Sequence, residues 1–202
     1  MSRAIRLGAA AFAAAGLLTA CSGTGTTVEQ PTTQSSATAT SSSAAAGQGE
    51  APRVPAPLPV DGLLAQPCSA LSPVQTDELG MVKPERLQGS IGPSCRWTSA
   101  SNDANTVTVS AMTANKGGLG DIYANKAGSV YFEPTQIDGY PAVYADIQDG
   151  RPHGTCSLWV GVTDQLAVSV MPQILRGSNA SNPCPVAERT AKAMIEHLKG
   201  AA

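Results

Sequence analysis

Residues 60–202 read as a single α+β domain, an antiparallel sheet of about five to six strands with two or three packing helices. Three observations carry this. Several short runs alternate apolar and polar side chains with period two, the mark of strands with one buried face. Helical patterns occur only before, between and after these runs, which argues α+β rather than alternating α/β. Finally, four cysteines fall in this stretch at positions 68, 95, 156 and 184, an even number that suits two disulfides in an oxidising compartment.

The chain opens differently. Arg3 and Arg6 precede an uncharged run from Leu7 to Ala20, followed by Cys21. A positive start, a short apolar core and small residues before a cut site describe a secretory signal peptide. The run is shorter than the roughly 20 apolar residues that span a bilayer. Its end, Leu18-Thr19-Ala20-Cys21, resembles the lipobox of bacterial lipoproteins. That resemblance implies cleavage after Ala20 and a diacylglyceryl thioether with further acyl chains, such as palmitate, on Cys21. Two acyl signals suffice for stable anchoring. The expected partner of Cys21 is therefore the membrane, on its extracytoplasmic face.

Residues 22–59 hold 13 Ser or Thr, 5 Pro, 3 charges and no aromatic residue. So little apolar surface does not offset ordering entropy, and the expectation for 21–59 is a lipidated cysteine and a disordered linker. A coil of this length spans roughly 35 Å. "APRVPAPLP" (51–59) closes it as a stiffer, proline-rich spacer.

Within the domain, "ALSPVQTDELG" (70–80) predicts a short helix. Ser72 is its N-cap, Pro73 its first residue, Gln75 completes a capping box and Gly80 stops it. "SCRWTSAS" (94–101) and "NTVTVSAMT" (105–113) read as strands, the second with Val107, Val109 and Ala111 on one face. "LGDIYANKAG" (119–128) predicts a helix. "FEPTQIDGYPAVYADIQDG" (132–150) predicts two strands turning at Asp138-Gly139, and "CSLWVGVTDQLAVSVMP" (156–172) a hairpin. "PCPVAERTAKAMIEHLKG" (183–200) is an amphipathic helix with a stripe of Ala187, Ala191, Met194, Ile195 and Leu198. Four cysteines allow three pairings. Cys68–Cys95 and Cys156–Cys184 are favoured, since each ties a helix start to a strand nearby in sequence.

The ordered set "PCSALSPVQTDELG" (67–80), "CRWTS" (95–99), "IDGYPAVYAD" (137–146), "CSLWVGV" (156–162) and "CPVAERTAKAMIEHL" (184–198), with the lipobox, resembles a family of actinobacterial secreted lipoproteins, domain-of-unknown-function family 3558. The resemblance implies a membrane-anchored extracytoplasmic domain of the PsbP-like α/β/α sandwich type. It carries no catalytic residue over.

Chemistry is sparse in the residues themselves. Neither G-x-S-x-G nor S-x-x-K occurs, so serine hydrolases lack their motif. His197 closes the last helix, where a cation complements the dipole. His153 lies three residues before Cys156, a thiol-protease pairing only if that thiol is free. Asp146/Asp149 and Asp77/Glu78 read as solvated charges rather than a glycosidase pair. No cysteine or histidine spacing suits a metal, and no cofactor is expected. From residue 60 on, 10 Lys or Arg face 13 Asp or Glu, a net of −3 that argues against nucleic acid. The residues best suited to line a ligand pocket are Trp97, Tyr140, Tyr144, His153 and Trp159. The expected function is a non-enzymatic binding or interaction module of the cell envelope, with an envelope protein, a lipid or a cell-wall component as partner. The alternatives are an envelope hydrolase and a sensor domain for a membrane kinase or transporter.

Overall fold

The computed structural model describes residues 50–201. The expected signal peptide, Cys21 and most of the expected linker lie outside the described residues. The rest forms one seven-stranded antiparallel sheet, in the order β1-β2-β3-β7-β6-β5-β4. The strands are β1 Met81–Gly89, β2 Gly92–Ser99, β3 Thr106–Ala111, β4 Tyr131–Ile137, β5 Tyr140–Asp146, β6 Leu158–Thr163 and β7 Leu166–Gln173. Four helices accompany them: α1 Asp61–Ala65, α2 Pro73–Glu78, α3 Leu119–Ala124 and α4 Cys184–Gly200. Two meanders, β1–β3 and β4–β7, are joined where β3 pairs with β7.

Register shows how alternation builds the core. Cys95, Val109, Val170, Leu158 and Tyr144 stand opposite one another across five strands and face one side. One residue away, Ser94, Ser110, Ser169, Trp159 and Val143 form the neighbouring row on the other side. The apolar row packs beneath α4, whose Ala187, Thr190, Ala191, Met194, Ile195 and Leu198 are buried. The five expected stripe residues are all in that set. Thr190 joins them because its hydroxyl donates to the Val186 carbonyl at 2.9 Å, leaving no unpaired polar atom. The opposite face carries α3, where Leu119, Ile122 and Tyr123 pack on Val143, Ala145, Phe132 and Trp159. Helices thus flank both faces of the sheet. Gly161 sits at a tight point of this second layer, since a Cβ there would lie 3.0 Å from the Leu119 side chain and 3.2 Å from that of Val54.

The α2 capping box forms as expected. Ser72 Oγ accepts from the Gln75 backbone N–H, and Gln75 Oε1 accepts from that of Ser72. Gln75 Nε2 also donates to the Ala193 carbonyl at 2.7 Å, which fastens α2 to α4. Gly80 ends the helix at φ +62°, a left-handed backbone that favours glycine. Both favoured disulfides are present, Cys68–Cys95 and Cys156–Cys184.

Two expectations need correction. The sheet has seven strands, not five to six, because β1 lies at an edge and buries only Met81. The other correction concerns residues 51–59, which belong to the fold rather than to a disordered linker. Leu58 is buried, its N–H donates to the Val162 carbonyl, and Tyr140 Oη donates to the Ala56 carbonyl. The prolines in this segment leave few backbone donors to satisfy, while Val54 and Leu58 provide apolar contacts with the domain.

Candidate binding cleft

A cleft opens where β2 ends, β3 begins and β7 ends, beside the first turns of α4. Its volume is about 360 Å³. Leu79, Met81, Trp97, Val107, Ile174 and Val186 give it apolar surface. Ser99, Ser101, Thr106 and Ser178 line it with hydroxyls. Among the described residues, the charged ones lining it are Arg176 and Arg189. Polar and apolar groups share its lining almost equally, so it is more polar than the mostly apolar concavity typical of small-molecule sites.

Local sequence explains how this wall is held. The Asn102–Asn105 turn leads into β3 and places Asn105 in the interior, 8% exposed. Its Oδ1 accepts from the backbone N–H groups of Leu175 and Arg176, at 2.9 and 3.0 Å. Its Nδ2 donates to the Arg176 carbonyl at 3.0 Å. One buried amide therefore fixes the chain at Arg176 as it leaves β7. On the opposite wall, Val186 and Arg189 ride on α4, whose first residue, Cys184, is bonded to Cys156.

The structure does not gather the five residues proposed for a pocket. Trp97 lines the cleft and is 1% exposed, so it serves as its floor. Trp159 lies on the other face of the sheet, where its indole N–H donates to the Ala145 carbonyl at 2.8 Å. Tyr140 is buried, with the Lys199 ammonium 5.1 Å from its ring centroid. Tyr144 is half-buried on the α4 side, where burial and then the Glu188 carboxylate push its pKa up to about 12. His153 is exposed on the turn before β6.

A second polar cluster surrounds that turn. Arg151 donates from Nε and Nη2 to the two carboxylate oxygens of Asp149, each at 2.8 Å. It also donates from Nη1 to Glu133 at 2.8 Å, and its guanidinium stacks 4.0 Å from the Tyr131 ring centroid. These bonds hold the Asp149 carboxyl below its ordinary range, the Arg151 side-chain hydrogen bond first among the causes. Asp146 accepts from the Ser157 hydroxyl. Each acid of the Asp146/Asp149 pair is thus tied to its own donor, and Cys156 is tied to Cys184. Among the described residues, no three His, Cys, Asp or Glu side chains come together to hold a metal ion.

Sequence reasoning missed Asn105, Arg176 and Arg189. The only signal was the polar stretch Arg176-Gly177-Ser178-Asn179 between the last strand and the last helix, unusually rich in donors for a connection.

A family model described as "Protein of unknown function (DUF3558)" matches residues 16–197. The chain belongs to that family. The DUF3558 match begins inside the apolar N-terminal run and ends in the last turns of α4, so the cleft and both disulfides lie within it. No curated protein and no solved structure matches the chain.

Proposed function

We propose that this DUF3558 protein is a lipid-anchored, non-enzymatic binding module on the extracytoplasmic face of the cell membrane. The cleft over Trp97 carries this reading. It joins apolar surface to hydroxyl and guanidinium donors, and among the described residues none of its lining side chains is a carboxylic acid, a histidine or a thiol. Such a lining holds a ligand by contact and hydrogen bonding, without a group placed to exchange protons. The two disulfides suit a chain exported to an oxidising compartment. The lipobox-like Leu18-Thr19-Ala20-Cys21 supplies the tether.

Native mass spectrometry of the oxidised protein, purified from its own envelope, tests the binding role. A retained small mass is expected and would name the ligand class. Protein that is empty in every preparation, yet turns over an envelope ester or glycan, would overturn the reading. Fractionation tests the tether. Wild-type chain is expected in the membrane fraction carrying acyl mass on Cys21, and Cys21→Ser is expected to lack that mass. An acyl adduct on the variant would remove Cys21 from its assigned role.

A further inference from the structure

The charge pattern of the cleft narrows what it holds. From residue 60 on the chain is net negative, with 10 Lys or Arg against 13 Asp or Glu, yet the charged residues lining the cleft are two arginines. Among the described residues, the ion pairs engage Arg53, Arg96 and Arg151, not Arg176 or Arg189. Arg176 spends one donor, Nη1, on the neighbouring Leu175 carbonyl at 3.3 Å, and among the described residues Arg189 makes no side-chain hydrogen bond, so most of the donors of the two guanidiniums remain for something else. A guanidinium fork matches carboxylate and phosphate oxygens in geometry as well as charge.

Both cations also stand on fixed supports. Arg176 follows the strand end clamped by the buried Asn105 amide. Arg189 projects from α4, whose start is covalently fastened to the chain just before β6. Anchored backbones leave only the two side chains to be ordered, which lowers the entropy lost on binding. The same cleft is lined by the apolar side chains of Met81, Trp97, Val107 and Val186, which offer contact to an uncharged body. The volume of about 360 Å³ falls near the small end of the range for ligand pockets.

We propose that the cleft takes a small organic anion, with a carboxylate or phosphate head on Arg176 and Arg189 and a short apolar body against Met81, Val107 and Val186. This inference rests on the binding-module reading and deepens it by naming the ligand chemistry. In this arrangement Asn105 is a positioning residue, acting through the backbone of Arg176.

The test uses the mature chain, residues 21–202, with Cys21→Ser to keep it in solution and Trp159→Phe to leave Trp97 as the sole tryptophan. Hexanoate, phenyl phosphate and the neutral hexanamide are titrated by tryptophan fluorescence and by calorimetry. At least one anion is expected to saturate, with hexanamide weaker on the order of tenfold or more. The better anion names the head group. Arg176→Ala and Arg189→Ala, both at exposed positions, are each expected to weaken that anion on the order of tenfold, and added salt to weaken it further. Equal affinity for hexanamide, or no loss in either arginine variant, overturns the anion assignment. Silence of all three probes by both methods overturns it as well. In either case a small neutral mass retained in native spectra would keep the binding reading alive, so the two ideas fail separately.

Discussion

Tyr144 shows how burial and one neighbouring charge set a side chain's chemistry. It faces the α4 side of the sheet, on the same row as the buried Leu158 and Val170. Burial, and then Glu188, disfavour the tyrosinate, so the phenol holds its proton to about 12 against an ordinary value of 10.0. The sign of the linkage follows from that order. A group whose folded pKa is raised contributes stability fully below its unfolded pKa, and the contribution disappears as pH rises through the folded value. Stability is therefore expected to fall between about pH 10 and about pH 12, and Tyr144→Phe to flatten part of that decline in urea titrations. Glu188→Gln is expected to bring the Tyr144 titration down, read by tyrosinate absorbance in a variant series. Burial also raises Tyr123 and Tyr131, so some alkaline sensitivity remains in Tyr144→Phe. At this scale the sequence was partly legible. It grouped Trp97 with Trp159 as possible pocket residues, whereas the structure sets Trp97 in the cleft lining and Trp159 on the other face of the sheet. Asn105 was invisible, because nothing local distinguishes a turn asparagine in solvent from one whose amide is bound 70 residues away.

Among the elements, those with a one-sided burial pattern were readable and β1 was not. Its burial runs from one buried methionine into almost continuous exposure, so no alternation exists to read. Pro84 offers no backbone donor, Lys83 has φ +52°, and the register shifts between Val82 and Glu85. A proline in a run ordinarily demotes it to an edge strand, and β1 is at the edge. Pro84, Lys83, Glu85 and Arg86 also blunt that edge against pairing with a second chain. The α2 signature was readable for the opposite reason, since a capping box lies within four consecutive residues. Ser72→Ala is expected to cost about 1 kcal/mol in urea unfolding. Gln75→Ala is expected to cost at least as much, because it also removes the bond to the Ala193 carbonyl that ties α2 to α4.

For the whole molecule, the disulfides link helical segments to the sheet. Cys68 lies on the 3-10 turn Pro67–Ala70 and pairs with β2, while Cys156 precedes β6 and pairs with the first residue of α4. The bridged cysteines are 27 and 28 positions apart. Loops of that size constrain the unfolded chain by about 3–4 kcal/mol each on the chain-entropy account. Replacing either pair by alanine is expected to lower unfolding free energy by about that amount in urea titrations. Losing Cys156–Cys184 is also expected to loosen the cleft, because Val186 and Arg189 follow Cys184 on α4. The amide protons of α4 are therefore expected to exchange faster in that variant, while those of β2 and β3 keep their protection.

Sequence by itself determined what depends on near neighbours: the α+β class, the alternating strands, the α2 cap, the stripe of α4 and disulfides spanning under thirty positions. Only the tertiary structure decided the pairing of β3 with β7, the edge place of β1, the docking of residues 51–59 and the cleft. Each of these depends on contacts between segments far apart in the chain, such as Val109 opposite Val170 and Asn105 bound to Arg176. Side-chain periodicity shows which face of a strand is buried, but it carries no information about which distant strand lies beside it.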